Sequence, residues 1–179
     1  MKQLVILMIS IAVFAGCGEN SAGPETGTEG EMTYTVEGFT FSWQQDMLSN
    51  DSLVISITAP TTGWVAVGFQ PSALMQDANL IIGYVDSGIA FVRDDFGTGP
   101  TTHESDTDLG GSFDVGQYSG TESSTETTIF FKIAYDSGDQ YDKVLVEGET
   151  YTFIFAHGAD GADDYTSAHE WVKSASFEL

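Results

Sequence analysis

From residue 33 onward, apolar and polar side chains alternate in short runs, as in Leu53-Val54-Ile55-Ser56-Ile57 and Trp64-Val65-Ala66-Val67-Gly68-Phe69. No stretch sustains the 3.6-residue apolar period of an amphipathic helix, so the pattern predicts an all-β chain. Strands are expected at 33–36, 39–44, 53–59, 63–69, 78–85, 89–93, 127–134, 151–157 and 172–177. Turn residues separate them, among them Glu37-Gly38, Asn50-Asp51, Pro60 to Gly63, Asp86-Ser87-Gly88, Asp136-Ser137-Gly138 and Glu147-Gly148. The Asp86-Ser87-Gly88 run reads as a tight hairpin.

Strands that alternate have one face buried, whereas the unbroken Leu80-Ile81-Ile82 run suits a strand covered on both faces. A two-layer antiparallel β-sandwich of the immunoglobulin-like kind accommodates both. The charged stretch 94–126 offers only a weak strand at 113–118, and long loops of this sort in compact β domains are often functional.

The first 31 residues follow different rules. One early cation, Lys2, precedes an apolar run from Leu4 to Phe14 and the small residues Ala15 and Gly16. This is the layout of an export signal, too short to span a bilayer. The chain's one cysteine, Cys17, stands where the signal would be cut, which resembles a bacterial lipoprotein signal and makes Cys17 the expected lipid anchor. Residues 1–16 are therefore read as signal peptide, 17–31 as a polar, flexible lipidated tether and 32–179 as one β-sandwich domain. The expected location is outside the cytoplasm, on a membrane through acyl chains, in the outer membrane if the cell has one.

Charge narrows the partners. The 179 residues contain 27 acidic and 5 basic side chains, a formal net charge of −22. Nucleic acid is excluded as a partner, because a basic footprint supplies that affinity. A protein with a basic face suits the charge better. With Cys17 used as an anchor, no cysteine is left for disulfides, iron–sulfur ligation or a covalently attached c-type haem.

Candidate chemistry centres on the segment GWVAVGFQPSALMQDANLIIG, residues 63–83, where Met75 sits in a loop between two strands beside Asp77. Loop methionines usually fill gaps in a core, but Met paired with His is also a way of holding haem iron. The histidines are His103, His157 and His169, the last two flanking the final loop. Trp64, Phe69, Phe91, Phe153 and Phe155 are candidates for the apolar walls of a porphyrin site.

The order of GWVAVGF, a Met-x-Asp loop, LIIGYVDSGIAFVRDDF, TTIFFKIAYDSGDQYD and FIFAHGADGADDYTSAHE resembles DOMON domains, from about residue 33 to the C-terminus. These are extracytoplasmic β-sandwiches that bind haem b or sugars and include the cytochrome domain of cellobiose dehydrogenase. The resemblance implies a noncovalent haem b held by Met75 and His169, with His157 as the rival ligand and Trp64, Phe69, Phe91 and Phe155 around it. Arg93 and Lys173 are candidates for its propionates because the chain has only five cations. It implies electron transfer and no catalysis, with a separate extracytoplasmic redox protein as partner. The alternative is a haem-free carbohydrate-binding module in which Trp43, Trp64 or Trp171 provides a stacking surface. Calcium is a further candidate, because Asp106-Thr107-Asp108-Leu109-Gly110 opens like a calcium loop, although it lacks the distal Glu of an EF-hand. Asp160, Asp163 and Asp164 read as a solvated loop.

Overall fold

The alternating runs pair into two antiparallel layers. The computed structural model describes residues 25–26 and 30–179. The expected signal, the Cys17 anchor and most of the expected tether lie outside the described residues. Within that tether a two-residue strand, β1 (Glu25–Thr26), pairs with β2 (Met32–Val36). The first sheet continues with β3 (Phe39–Gln45) and β4 (Ser52–Ala59), then β10 (Thr127–Ala134) and β9 (Tyr118–Glu122). The second sheet runs β12 (Trp171–Glu178), β11 (Thr150–His157), β5 (Val65–Phe69), β6 (Asn79–Asp86), β7 (Ile89–Gly99) and β8 (Thr102–Ser105). One helical turn, α1 (Asp106–Leu109), follows β8. Among the described residues no helix is long and apolar enough to cross a membrane.

Turn chemistry sets the registers. Asp86 faces Ile89 across the β6–β7 hairpin, with Ser87 and Gly88 both at positive φ (51° and 78°), the backbone of a type I′ turn. Glu37 and Gly38 (49° and 89°) do the same between β2 and β3.

Three elements depart from the sequence expectation. Strand β7 runs six residues past position 93, through a half that carries the buried Asp94 and Asp95, so its polarity broke the apolar pattern. Strand β8, Thr-His-Glu-Ser, has no apolar alternation to betray it. The strand expected at 113–118 lies instead at Tyr118–Glu122, pinned by its ladder to β10 from Glu122 opposite Thr127 to Tyr118 opposite Phe131.

The inward parity of each strand builds the core. Phe39, Phe41, Ile55, Ile57, Val65, Val67, Phe69, Ile129, Phe153 and Phe155 are all fully buried between the layers. Aromatic contacts cross it, with Phe153 stacked on Phe177 at 4.4 Å and Trp43 on Phe177 at 5.0 Å. Each such ring contact adds about 0.5–1.5 kcal/mol beyond area burial.

At one rim, Asp46 accepts hydrogen bonds from the Leu48 amide and the Ser49 hydroxyl, both at 3.0 Å, and pairs with the Lys132 ammonium. Lys132 foremost, then the two hydrogen bonds, hold this carboxyl down from the ordinary 3.8 to about 2. A depressed folded-state pKa stabilises the fold above the unfolded value and ceases to as pH falls through the folded one. The melting temperature of Asp46→Asn should therefore lie below wild type at pH 7, and the two should converge between pH 4 and 2; parallel curves would deny the pair a role.

Candidate functional site

Strand β5 is apolar on both sides, and this gives the second sheet two apolar faces. Val65, Val67 and Phe69 enter the sandwich core, while Trp64, Ala66 and Ile82 form a separate apolar cluster on the opposite face. Over that outer face lies a cavity of about 780 Å³, within the range of small-molecule sites. Its floor is the outward parity of four strands: Ala66 and Gly68, Leu80 and Ile82, Ile154 and Ala156, Val172 and Ser174. The sheet alternation that fills the core therefore also lines the cavity.

Two loops wall it. The first, between β5 and β6, brings Pro71, Leu74 and Met75 to the cavity. It is held by backbone hydrogen bonds from Gln76 N–H to the Ala73 carbonyl (2.9 Å) and from Asp77 N–H to the Gly97 carbonyl (2.8 Å). Ser72 Oγ donates to Asp77 Oδ2 at 2.5 Å. Leu74 and Asp77 sit at φ 55° and 60°, a left-handed geometry uncommon for residues other than glycine and frequent at functional loops. Strand β7 supports the loop through Gly97, where a Cβ would stand 1.7 Å from the Met75 carbonyl oxygen.

The second loop joins β11 to β12 and brings Tyr165, Ser167 and His169 to the cavity. Asp164 Oδ1 accepts the amides of Thr166 and Ser167, each at 2.6 Å, and these bonds lower its pKa. Ser167 Oγ in turn accepts the Trp64 indole N–H at 2.8 Å, tying the loop to the cavity floor. Tyr165 packs on Tyr84 (5.1 Å) beneath the Arg93 guanidinium (4.6 Å), and burial first, then Tyr84, pushes its hydroxyl up to about 12. It stays neutral at any working pH.

Met75, His169 and Trp64 thus line one cavity. Phe69 and Phe155 do not: their parity is that of Val65 and Phe153, and both are fully buried in the core. Phe91 is also away from the cavity, stacked at 5.1 Å on the far side of Tyr84 and 37% exposed. His157 shares the core parity of β11; it is buried, stacked on Trp171 at 5.6 Å, with Nδ1 2.9 Å from the Gly158 carbonyl. Of the guessed cations, Lys173 borders the cavity and pairs with Glu37 at 2.8 Å, whereas Arg93 binds Asp95. The tryptophans offer little open platform: Trp43 is core and Trp171 stacks against both Phe39 and His157.

Sequence reasoning missed His103 at the wall, where its Nδ1 lies 2.5 Å from Asp95 Oδ2, the carboxylate that also takes Arg93. Its polar four-residue strand carries no local signal of a site.

Comparison with known proteins agrees with this architecture. A family model described as the DOMON domain matches residues 36–158. The chain is 27% identical over 123 residues to MOXD1 homolog 2 of Drosophila melanogaster, covering 69% of this chain and 16% of that protein, so it spans about a sixth of the relative's length. In structure it is similar to the cytochrome domain of Myriococcum thermophilum cellobiose dehydrogenase, with a TM-score of 0.61, 14% identity and 90% coverage of both chains. It is also similar to the cytochrome b domain of pyranose dehydrogenase from Coprinopsis cinerea, with a TM-score of 0.56, 13% identity and coverage of 82% and 80%. At such identities the likeness is one of fold.

Proposed function

The chain belongs to the DOMON domain family, and on that premise we propose that it is a b-type haem-binding electron-transfer module, with Met75 and His169 as the axial ligands. The observation that carries this reading is that the Met75 thioether and the His169 imidazole, borne on the two loops that wall it, border the same large apolar cavity, whereas the other imidazole at the wall, His103, is engaged by Asp95. That donor set fits haem iron, the apolar floor fits a porphyrin face, and Lys173 at the rim suits a propionate. Both similar structures are cytochrome domains, which supports it further. The burial of His157 against Trp171 favours His169 as the imidazole.

Haem would supply a one-electron couple at iron, and ligation by the Met75 thioether and the His169 imidazole would raise its potential. The protein's part is to hold the ligands, exclude water with Ala66, Leu80, Ile82 and Ile154, and present an acidic surface to its partner. A net charge of −22 favours fast, salt-sensitive docking of a basic redox protein. We further propose that the chain is exported and held to a membrane through lipidated Cys17, with the polar segment to residue 31 as tether.

The test is a reduced-minus-oxidised absorption spectrum of the full chain produced with a haem supply or reconstituted with hemin. Sharp α and β bands of a six-coordinate low-spin haem are expected. A colourless protein that takes up no hemin would discard the assignment and leave the carbohydrate-binding reading, to be examined on a glycan array.

A further inference from the structure

On the opposite, inner face of the second sheet from the large cavity, four oxygen-bearing side chains converge from distant points of the chain. Asp94 lies on β7, Asn79 starts β6, and Asp114 and Asp142 come from the long loops that follow α1 and β10. Carboxylate oxygens of Asp94, Asp114 and Asp142 all lie within 4.8 Å of one another. That is the separation allowed to oxygens sharing a cation at 2.3–2.6 Å. With Asn79 the three border a cavity of about 10 Å³, room for one water or one ion.

The hydrogen bonding around this point is incomplete in a specific sense. Asp94 is 2% exposed and uses Oδ2 to accept the Asp114 amide at 2.9 Å, yet its Oδ1 has no partner. Asn79 is 5% exposed and donates Nδ2 to Asp142 Oδ1 at 2.5 Å, yet its carbonyl Oδ1 has no partner. Both carboxylate oxygens of the fully buried Asp106 are also unpaired. An unmade bond at a buried oxygen is costly, more so for a charged group, so such atoms ordinarily have an occupant to face.

Protein cations do not fill that place. The ion pairs among the described residues engage Asp46, Asp95 and Glu37 and leave these aspartates out. Lys143 borders the small cavity but holds its ammonium 5.8 Å from the Phe96 ring centroid.

We propose that Asp94, Asp114, Asp142 and the Asn79 carbonyl form a calcium site that pins the two long loops to the second sheet. The donors are all hard oxygens, with no imidazole or thiolate to attract zinc or copper. Three carboxylates in a partly dry cage suit calcium, which sheds water readily, better than magnesium, which keeps it. This site is not the one expected from residues 106–110: that run forms the single turn of α1, which leaves Asp108 exposed and cannot wrap an ion.

The test titrates the EGTA-stripped full chain with calcium chloride, by calorimetry and by thermal melting, beside magnesium chloride. One site with a Kd of about 10⁻⁴ M or tighter is expected, in the range of extracellular calcium modules or better, with a rise in melting temperature that magnesium does not reproduce. Asp142→Asn should weaken binding at least about tenfold, as loss of one ligand requires, and abolish the calcium-dependent rise. Without calcium it should melt no lower than wild type, since one repelling charge has gone. Asp114→Asn tests the same point from the other loop, and Asp108→Asn should bind calcium as wild type does. Absence of saturable binding, an equal response to magnesium, or an unchanged response in both Asp142→Asn and Asp114→Asn would overturn the assignment.

Discussion

Replacing His169 with alanine is expected to abolish the sharp reduced bands of a six-coordinate haem while leaving the melting temperature of the haem-free chain within a degree or two of wild type. His169 is exposed, and its ring makes no hydrogen bond among the described residues, so its removal costs the fold little, within about ±0.5 kcal/mol for an ordinary surface change. Its loss as an iron ligand should lower haem affinity by more than the 10–100-fold that follows removal of a mere supporting partner. Met75→Ala should give the same spectral loss from the opposite wall. Met75→His should instead restore a low-spin spectrum at a lower reduction potential, because the thioether that raises the potential has been replaced. His157→Ala should keep the bands, since that ring stacks on Trp171 and does not border the cavity. His103→Ala should keep them as well, its imidazole being engaged by Asp95. Unaltered spectra in both His169→Ala and Met75→Ala would exclude Met/His ligation; loss of the bands in His103→Ala instead would move the imidazole to β8.

The second large effect comes from a residue that bears no side chain. Gly97→Ala should lower stability by about 3 kcal/mol or more, the upper end for overpacking, which for a chain of this size is a fall of roughly 6–12 °C in melting temperature. The added Cβ would meet the Met75 carbonyl oxygen at 1.7 Å, its carbon at 2.7 Å and the Ala78 nitrogen at 3.2 Å. All three are backbone atoms, so no flexible side chain can swing aside. Relief requires the loop to move off β7, breaking the bonds from Asp77 N–H to the Gly97 carbonyl (2.8 Å) and from Gly97 N–H to the Ala78 carbonyl (2.9 Å). That displacement also carries Met75 away, so the variant should lose the Met/His spectrum even where it remains folded. Thermal melts and spectra on the same preparation read both effects, and a melting temperature equal to wild type would show that the contact is not what holds the loop.

Period-2 alternation was enough to predict an all-β sandwich, because a strand with one buried face writes its geometry directly into every second residue. Positive-φ turns were equally legible, since few residues tolerate that backbone: Ser87-Gly88 and Glu37-Gly38 both became type I′ hairpins. Met75 and His169 could be singled out by residue type, order and family resemblance. The apolar run at 80–82 also signalled a strand covered on both sides.

What alternation leaves open is which face of a doubly apolar strand meets the other sheet. Trp64, Ala66 and Gly68 have one parity and Val65, Val67 and Phe69 the other, but only the docked first sheet decides that the latter are core. Alternation alone therefore could not tell that Phe69, Phe155 and His157 turn toward the first sheet and not toward the cavity. Polar elements were harder still. Strand β8 and the second half of β7 owe their pairing to ladder bonds and buried aspartates, neither of which leaves an apolar trace. The cluster of Asn79, Asp94, Asp114 and Asp142 spans four separate segments, with no spacing that local chemistry could read. The sequence by itself determined the period, the turns and the supply of ligand-bearing residues, all of them properties of neighbours along the chain. Which of those residues share a cavity was decided by tertiary structure alone, because only the packing of the two sheets and the closure of their loops brings distant side chains to one point.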